Sequence, residues 1–525
     1  MEENPSPQEI NTLVNLFNDG RLAEAATLAR KMTVRFPMHG FGWMLLGAVF
    51  KQMGRSADAL LPMQKAAALS PNAVESHYNL GVILQDLSRL DEAEASYRRA
   101  LQIKPDYAEG YNNLGITIMD MNRPDEAEVS YRRALEIEPD YAEGYNNLGI
   151  TLRSLGRLNE AEASYRRALQ IKPNYVEALS NLGFILQNMG RLNEAEASYR
   201  RALQIKPDYA EAQCDLSLVF LALGQFQRGW QGYEMRWKLK DAKHLLETPY
   251  PCWLGEEDIA GKKLLIQFEQ GLGDAIQMLR YIHLLEQKNV ECWIQAPNSL
   301  HRLIVRSFPL SKVIERKICP DGLDYQIPAM SLPLAMQTFS EQSIPRHVPY
   351  LIPDDDRVSF WEKQIASTRS RTVGLVWRGN PKHGNDRNRS ASLMDFLPLI
   401  AACESIQFVT LQKDITDAER NAFKDYNNTC ILDDELTDFD ETAAVMCNMD
   451  VVISVDTAPA HLSGALGKST WLLLSSCVDW RWMADRADSP WYPTAKLFRQ
   501  KSIGNWAEVV INVKASLAEL DSQAR

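Results

Sequence analysis

A period of 34 residues governs the first half of this 525-residue chain. Pro37, Pro71, Pro105, Pro139, Pro173 and Pro207 keep that spacing. So do Gly47, Gly81, Gly115, Gly149 and Gly183, and Tyr97, Tyr131, Tyr165 and Tyr199. Three residue types in one register mean a repeated unit that cannot bury its apolar face alone and must stack on its neighbours. Residues Asp106–Pro139 show how a unit is built. Leu114, Ile118 and Met121 recur at steps of three and four, which is one face of a helix. Asn122-Arg123-Pro124 breaks that helix, and Ala127, Tyr131 and Ala134 mark a second one. Gly115 and Ala127 are small enough for the two helices to approach closely. Pro139 ends the unit because it cannot continue a helix.

The order aromatic-x-x-Leu-Gly, then Ala, aromatic and Pro resembles the tetratricopeptide repeat, over residues 4–241. The first unit (Asn4–Pro37) and the last (Asp208–Asp241) are degenerate, as capping units tend to be. In the last, Leu216-Ser217 replaces Leu-Gly, and Trp230, Tyr233 and Trp237 add aromatic surface. That surface is expected to dock the array onto the second half. Asn79, Asn113, Asn147 and Asn181 occupy one equivalent position on the first helices, which line the concave side of such an α-solenoid. A carboxamide carries two donors and an acceptor, so four in register fit both backbone groups of an extended peptide. The alternative is that they only solvate the groove. The array of nucleocytoplasmic O-GlcNAc transferase uses an asparagine ladder at this helix position, and the resemblance implies an acceptor peptide as the partner.

The formal charge of −11 argues against a nucleic-acid partner. The start, Met1-Glu2-Glu3-Asn4-Pro5-Ser6-Pro7, lacks the basic and apolar pattern of a secretory signal, and no stretch reaches the roughly 18 apolar residues that span a bilayer. The eight cysteines are scattered without a Cys-x-x-Cys pair and read as buried thiols in a reducing compartment. A cytoplasmic location is therefore expected.

Beyond the array the period is lost from Leu245 onward, and residues 242–261 read as a linker rich in turn chemistry. Apolar runs then alternate with helical patterns: Leu264–Phe268, Val373–Trp377, Gln407–Leu411, Val451–Val455 and Thr470–Leu474. Alternation of this kind predicts an α/β fold with parallel sheets. Two lobes are expected, 262–370 and 371–525, with Pro353-Asp354-Asp355-Asp356 beginning the passage between them.

Ligands in open α/β sheets sit at the carboxyl ends of strands, so the loops there carry the candidate site. After the first run comes Gly271-Leu272-Gly273-Asp274. The glycines allow a tight turn and close ligand approach. Asp274 is either a helix cap or a carboxylate free to take a proton. After the second comes Arg378–Ser390, whose Lys382, Arg387 and Arg389 suit an anion such as a diphosphate, with Lys413 beyond the next strand. After the fourth, Asp456 is expected to cap a helix whose first amides, at Thr457 and Ala458, form an anion site. His461 lies one turn on. After the fifth, the loop Asp479-Trp480-Arg481-Trp482 sets aromatic and charged residues where they could meet a base or sugar, with Asp479 and Trp480 as the candidates.

Together, Gly271-Leu272-Gly273-Asp274, Asp456-Thr457-x-x-x-His461-Leu462 and Gly464-Ala465-Leu466-Gly467-Lys468 resemble the ADP-heptose heptosyltransferase family over residues 262–525. The resemblance implies two facing Rossmann-like lobes, the GT-B fold, and sugar transfer with inversion without metal or other cofactor. It implies Asp274 as general base, the Thr457, Ala458 and Ala460 amides on a diphosphate, and His461 as the family histidine. The family's proline-rich turn is replaced here by Arg378–Arg389, so the sugar and nucleotide are not implied. Asp354 and Asp356 spell Asp-x-Asp, a metal motif in other glycosyltransferases, but their place between lobes reads as linker. Repeats joined to such a domain occur in bacterial repeat-containing glycosyltransferases, some linked to protein or flagellin glycosylation. Two further readings stay open: a scaffold whose second half only senses a nucleotide-sugar, and a transferase acting on a glycan or lipid.

Overall fold

The computed structural model describes residues 4–239, 242, 247–366 and 369–522. The predicted array end at Asp241 and linker residues 243–246 lie outside these. The chain divides into two compact units, residues 1–185 and 186–525. No helix among the described residues is long and apolar enough to cross a membrane.

The first unit is an α-solenoid of helix pairs: Pro7–Asn18 with Leu22–Arg35, Gly40–Gln52 with Ser56–Leu69, Val74–Asp86 with Leu90–Ile103, Ala108–Asp120 with Pro124–Ile137, and Ala142–Ser154 with Leu158–Ile171. The shared period of Gly and Tyr has a steric cause. A Cβ at Gly81, Gly115 or Gly149 would fall 2.8, 2.7 or 2.6 Å from Cε1 of Tyr97, Tyr131 or Tyr165, all buried rings. In the second repeat, Gly47 faces Met63 instead. A second 34-residue series emerges only from the backbone. Gly20, Gly54, Gly156, Gly190 and Gly224 have positive φ in the turn within each pair, and Ser88 and Asn122 hold the same conformation at φ 58°.

Helix Val176–Asn188 contains the boundary between the units, and the second unit continues with the array helices Leu192–Ile205, Ala210–Ala222 and Phe226–Tyr233. Two wholly parallel sheets come after them. The first contains β1 (Lys263–Gln267), β2 (Glu291–Ala296), β3 (Lys312–Glu315) and β4 (Tyr325–Pro328), in the order β3-β2-β1-β4. The second contains β5 (Arg371–Val376), β6 (Ile406–Thr410), β7 (Thr429–Cys430), β8 (Val451–Val455), β9 (Thr470–Leu474) and β10 (Ala495–Arg499), in the order β10-β9-β8-β5-β6-β7. The apolar runs seen in the sequence are thus strands, displaced by at most two residues. Strand order reverses between β1 and β4 in one sheet and between β5 and β8 in the other. Such switch points open a crevice at the strands' carboxyl ends.

Arg280, from the first sheet's side, donates to the carbonyls of Trp491 (2.6 Å) and Pro345 (3.1 Å). Arg302 pairs with Asp438 at 2.8 Å, and Arg306 with Asp440. Asp354 is a helix cap: it accepts from the Asp356 and Arg357 amides and pairs with Arg306 at 2.8 Å. The capped helix, Asp355–Ile365, joins the second sheet's helix Phe439–Cys447 through Arg357 and Trp361 on Glu441. Although it precedes residue 371 in the chain, it packs with the second sheet's layer.

The aromatic last repeat packs onto the α/β part. Trp230 meets Trp480 and Trp491 edge-on at 5.1 and 6.2 Å. Arg236 donates to Ser331 Oγ (2.7 Å) and Glu269 Oε1 (3.2 Å), both buried. All eight cysteines are free thiols. Cys252 and Cys319 are exposed, which corrects the expectation that all are buried.

Candidate functional site

A cavity of about 560 Å³ occupies the second unit. The loop after β1 brings Gly271, Gly273 and Asp274 to it. The loop after β5 brings Lys382, His383 and Arg389, the segment after β8 brings Asp456, Thr457, Ala458 and His461, and the segment after β9 brings Ser475, Asp479 and Arg481. Asn188, in a repeat helix, also lines it. Strand ends of both sheets therefore share one cavity.

Helix Leu272–Met278 begins after an extended Gly271, so Asp274 sits in its first turn and is not the N-cap. Its Oδ2 accepts the Gly271 amide at 3.2 Å, while Oδ1 pairs with Arg481. Asp274 therefore supports the helix start from the third position, by accepting the N-cap amide, and it lines the cavity with both oxygens engaged. Gly273 is small for a reason other than ligand approach. A Cβ there would stand 2.8 Å from His461 Cδ2, where helix Leu272–Met278 packs on helix Ala458–Ala465.

His461 is buried. Its Nδ1 is 2.9 Å from the Tyr492 hydroxyl, and its ring lies 5.2 Å from that of Trp482. Burial, then the Arg481 charge, press its pKa down to about 3, so it is neutral near pH 7. The helix cap is Thr457, not Asp456, because the chain stays extended through Thr457 (φ −154°). Asp456 remains at the strand end, 4.0 Å from His461 Nε2. Burial and the Asp479 carboxylate push its pKa up to about 6. The Ala460 amide is used within the turn, donating to the Thr457 carbonyl at 2.9 Å, so it is removed from the predicted anion site.

Arg389 donates to the Asp456 carbonyl at 3.1 Å, tying the β5 and β8 loops together. Arg378 is spent on Glu419 at 3.0 Å. Burial opposes the Glu419 charge, yet hydrogen bonds from Arg378, Thr416 and Trp377 hold its pKa down to about 2. Arg387 and Lys413 are exposed and outside the cavity lining. Trp480 also lies outside it: its ring is buried against Trp230 and Trp491, so it braces the wall and does not face a base or sugar. Its neighbour Arg481, which belongs to the same Asp479-Trp480-Arg481-Trp482 loop but is not itself expected from sequence to bind the donor, is the residue that reaches the site. An arginine amid tryptophans was the available signal, since a buried charge requires partners.

The asparagines of the first unit are partly occupied. Asn147 Nδ2 donates to Asn112 Oδ1 at 2.9 Å, and Asn181 Nδ2 to Asn146 Oδ1 at 3.0 Å. Asn113 Nδ2 donates to the Tyr78 hydroxyl at 2.6 Å. Each contact links adjacent repeats and orients a half-buried carboxamide. Asn79 lines a separate cavity of about 360 Å³ with Phe17, Ala48 and Met63.

The tetratricopeptide-repeat family matches residues 74–107, 106–174 and 176–209, so these hairpins are tetratricopeptide repeats. Protein FlbA of Caulobacter vibrioides is 26% identical over 316 residues, covering 55% of this chain and 52% of that protein. The chain thus spans about half the length of this curated relative. Among solved structures, YrrB, a TPR protein with an unusual peptide-binding site, is 20% identical over 35% of this chain and 95% of its own, with a TM-score of 0.30. PilW, a type IV pilus biogenesis factor, is 26% identical over 38% of this chain and 92% of its own, with a TM-score of 0.35.

Proposed function

We propose that the α/β part is an inverting glycosyltransferase of GT-B type, moving a sugar from a nucleotide-sugar to a Ser or Thr hydroxyl of a protein held by the repeats. The observation that carries this is the shared cavity, which sets Asp274 from one parallel sheet opposite the Thr457–Ala458 turn, Lys382 and Arg389 from the other. The acceptor oxygen forms its bond to the anomeric carbon as the bond from that carbon to the diphosphate breaks. The electron pair leaves with the nucleoside diphosphate, and the hydroxyl proton passes to Asp274. Lys382, Arg389 and the Ala458 amide favour the charge that grows on the leaving group more than the charge of the bound donor, which lowers the barrier. No step is assigned to a metal.

The asparagine contacts support a peptide partner, because a carboxamide fixed by one N–H keeps its other donor and its acceptor for backbone groups. The test is intact-mass analysis of proteins that co-purify with the wild-type chain and with Asp274→Asn. A glycosyl mass on a carrier that disappears in the variant is expected. Identical masses from both would overturn the assignment of Asp274. The engagement of both Asp274 oxygens favours a second reading, a sensor that binds a nucleotide-sugar without turnover, and the same comparison decides between them.

A further inference from the structure

We infer that the Asp274 carboxylate and the donor's diphosphate compete for Arg481, so that donor uptake frees the base. The inference rests on reading the cavity as a nucleotide-sugar site. Arg481 is built to remain in place while exchanging one partner. Its Nη1 holds both Asp479 oxygens at 3.1 and 3.0 Å, and its own amide donates to Asp479 Oδ1 at 2.8 Å. The Trp480 ring lies 4.4 Å from the guanidinium carbon. These contacts lie within two residues and do not involve the first sheet. The Nη2 arm alone crosses to Asp274.

Both Asp274 oxygens are thereby occupied, one by the Gly271 amide and the other by the Arg481 guanidinium, so an acceptor hydroxyl must displace a partner to reach either. Lys382 and Arg389 line the same cavity. A diphosphate drawn to them meets the Nη2 arm, whose charged N–H groups donate to a phosphate oxygen as they do to a carboxylate oxygen. With its Asp479 anchor unchanged, Arg481 can release Asp274 without leaving the site. Arg481 is thus a positioning residue for the base and a ligand for the leaving group.

Titration calorimetry of the full chain with UDP, GDP, ADP and dTDP tests this in wild type, Asp274→Asn, Arg481→Gln and the double variant. Asp274→Asn is expected to bind the preferred nucleotide about tenfold tighter than wild type. Arg481→Gln should bind it more weakly, and adding Asp274→Asn to it should bring no gain. An equal gain with and without Arg481 means simple relief of repulsion and overturns the exchange, as does unchanged affinity in Asp274→Asn. Wild type that takes up none of the four overturns the donor-site reading itself. Should Arg481→Gln fail to fold, Arg481→Lys, which keeps the charge and loses the fork, completes the same cycle.

Discussion

Replacing Gly273 by alanine separates packing from ligand approach in a motif where sequence treats two glycines alike. The new methyl would lie 2.8 Å from His461 Cδ2 and 3.3 Å from Nε2. The ring cannot yield easily: it is buried, bonded to the Tyr492 hydroxyl and stacked near Trp482. Overpacking of this kind costs about 1–3 kcal/mol. Alanine returns up to about 1 kcal/mol of helix preference. A net loss of about 1 kcal/mol, and at most about 3 kcal/mol, is expected. At Gly271 the backbone is ordinary extended (φ −71°, ψ 174°), and the nearest atom to an added methyl is Asp274 Oδ2 at 3.6 Å. Gly271→Ala should therefore be neutral, or stabilising by about 0.5 kcal/mol. Urea unfolding of both full-length variants, followed by tryptophan fluorescence, reads the difference. Equal midpoints would refute the steric account and return Gly273 to the role of a ligand-approach glycine.

Arg236→Ala strands the buried Glu269 carboxylate and should cost about 3–5 kcal/mol. Burial already raises the Glu269 pKa, so urea midpoints of this variant should recover as pH falls and the acid becomes neutral. His461 has its folded pKa depressed to about 3, so its contribution is complete above the unfolded value near 6.5 and is lost as pH falls. Between these limits wild type should lose stability relative to His461→Gln by up to about 1.4 kcal/mol per pH unit, measured by thermal melts across pH 7 to 3.5. Asn147→Ala removes the donor to buried Asn112 and should weaken hydrogen-exchange protection of the Ala142–Ser154 helix by about 1–3 kcal/mol. Asn79→Ala is therefore the cleaner probe of peptide capture, and should raise KM for a protein acceptor while donor hydrolysis stays constant. Ser88→Gly relieves a left-handed backbone at φ 58° and should stabilise its repeat by up to about 1 kcal/mol, read by the same exchange measurement.

The 34-residue array was legible residue by residue because its determinants are local. A glycine, an alanine and a tyrosine at fixed offsets define one hairpin, and stacking repeats the same contact. The central strands β1, β5, β6, β8 and β9 were legible too, since a strand buried on both faces of a parallel sheet leaves a continuous apolar run, whereas the half-exposed β3 and β4 leave none. Even the docking role of the last repeat was readable from its excess of aromatic residues. What sequence could not decide was direction and partnership. Trp480 and Arg481 are neighbours, but one turns into the tryptophan cluster with Trp230 and the other into the cavity. Arg378, Arg387 and Arg389 share one basic loop, yet only Arg389 reaches the site, because Glu419 claims the first and solvent the second. Asp274 and Arg481 stand 207 positions apart, and only the meeting of two sheets makes them a pair. Periodicity and burial are properties of short windows and survive in one dimension. A charge's partner depends on strand order and lobe contact, and these exist only once the chain has folded.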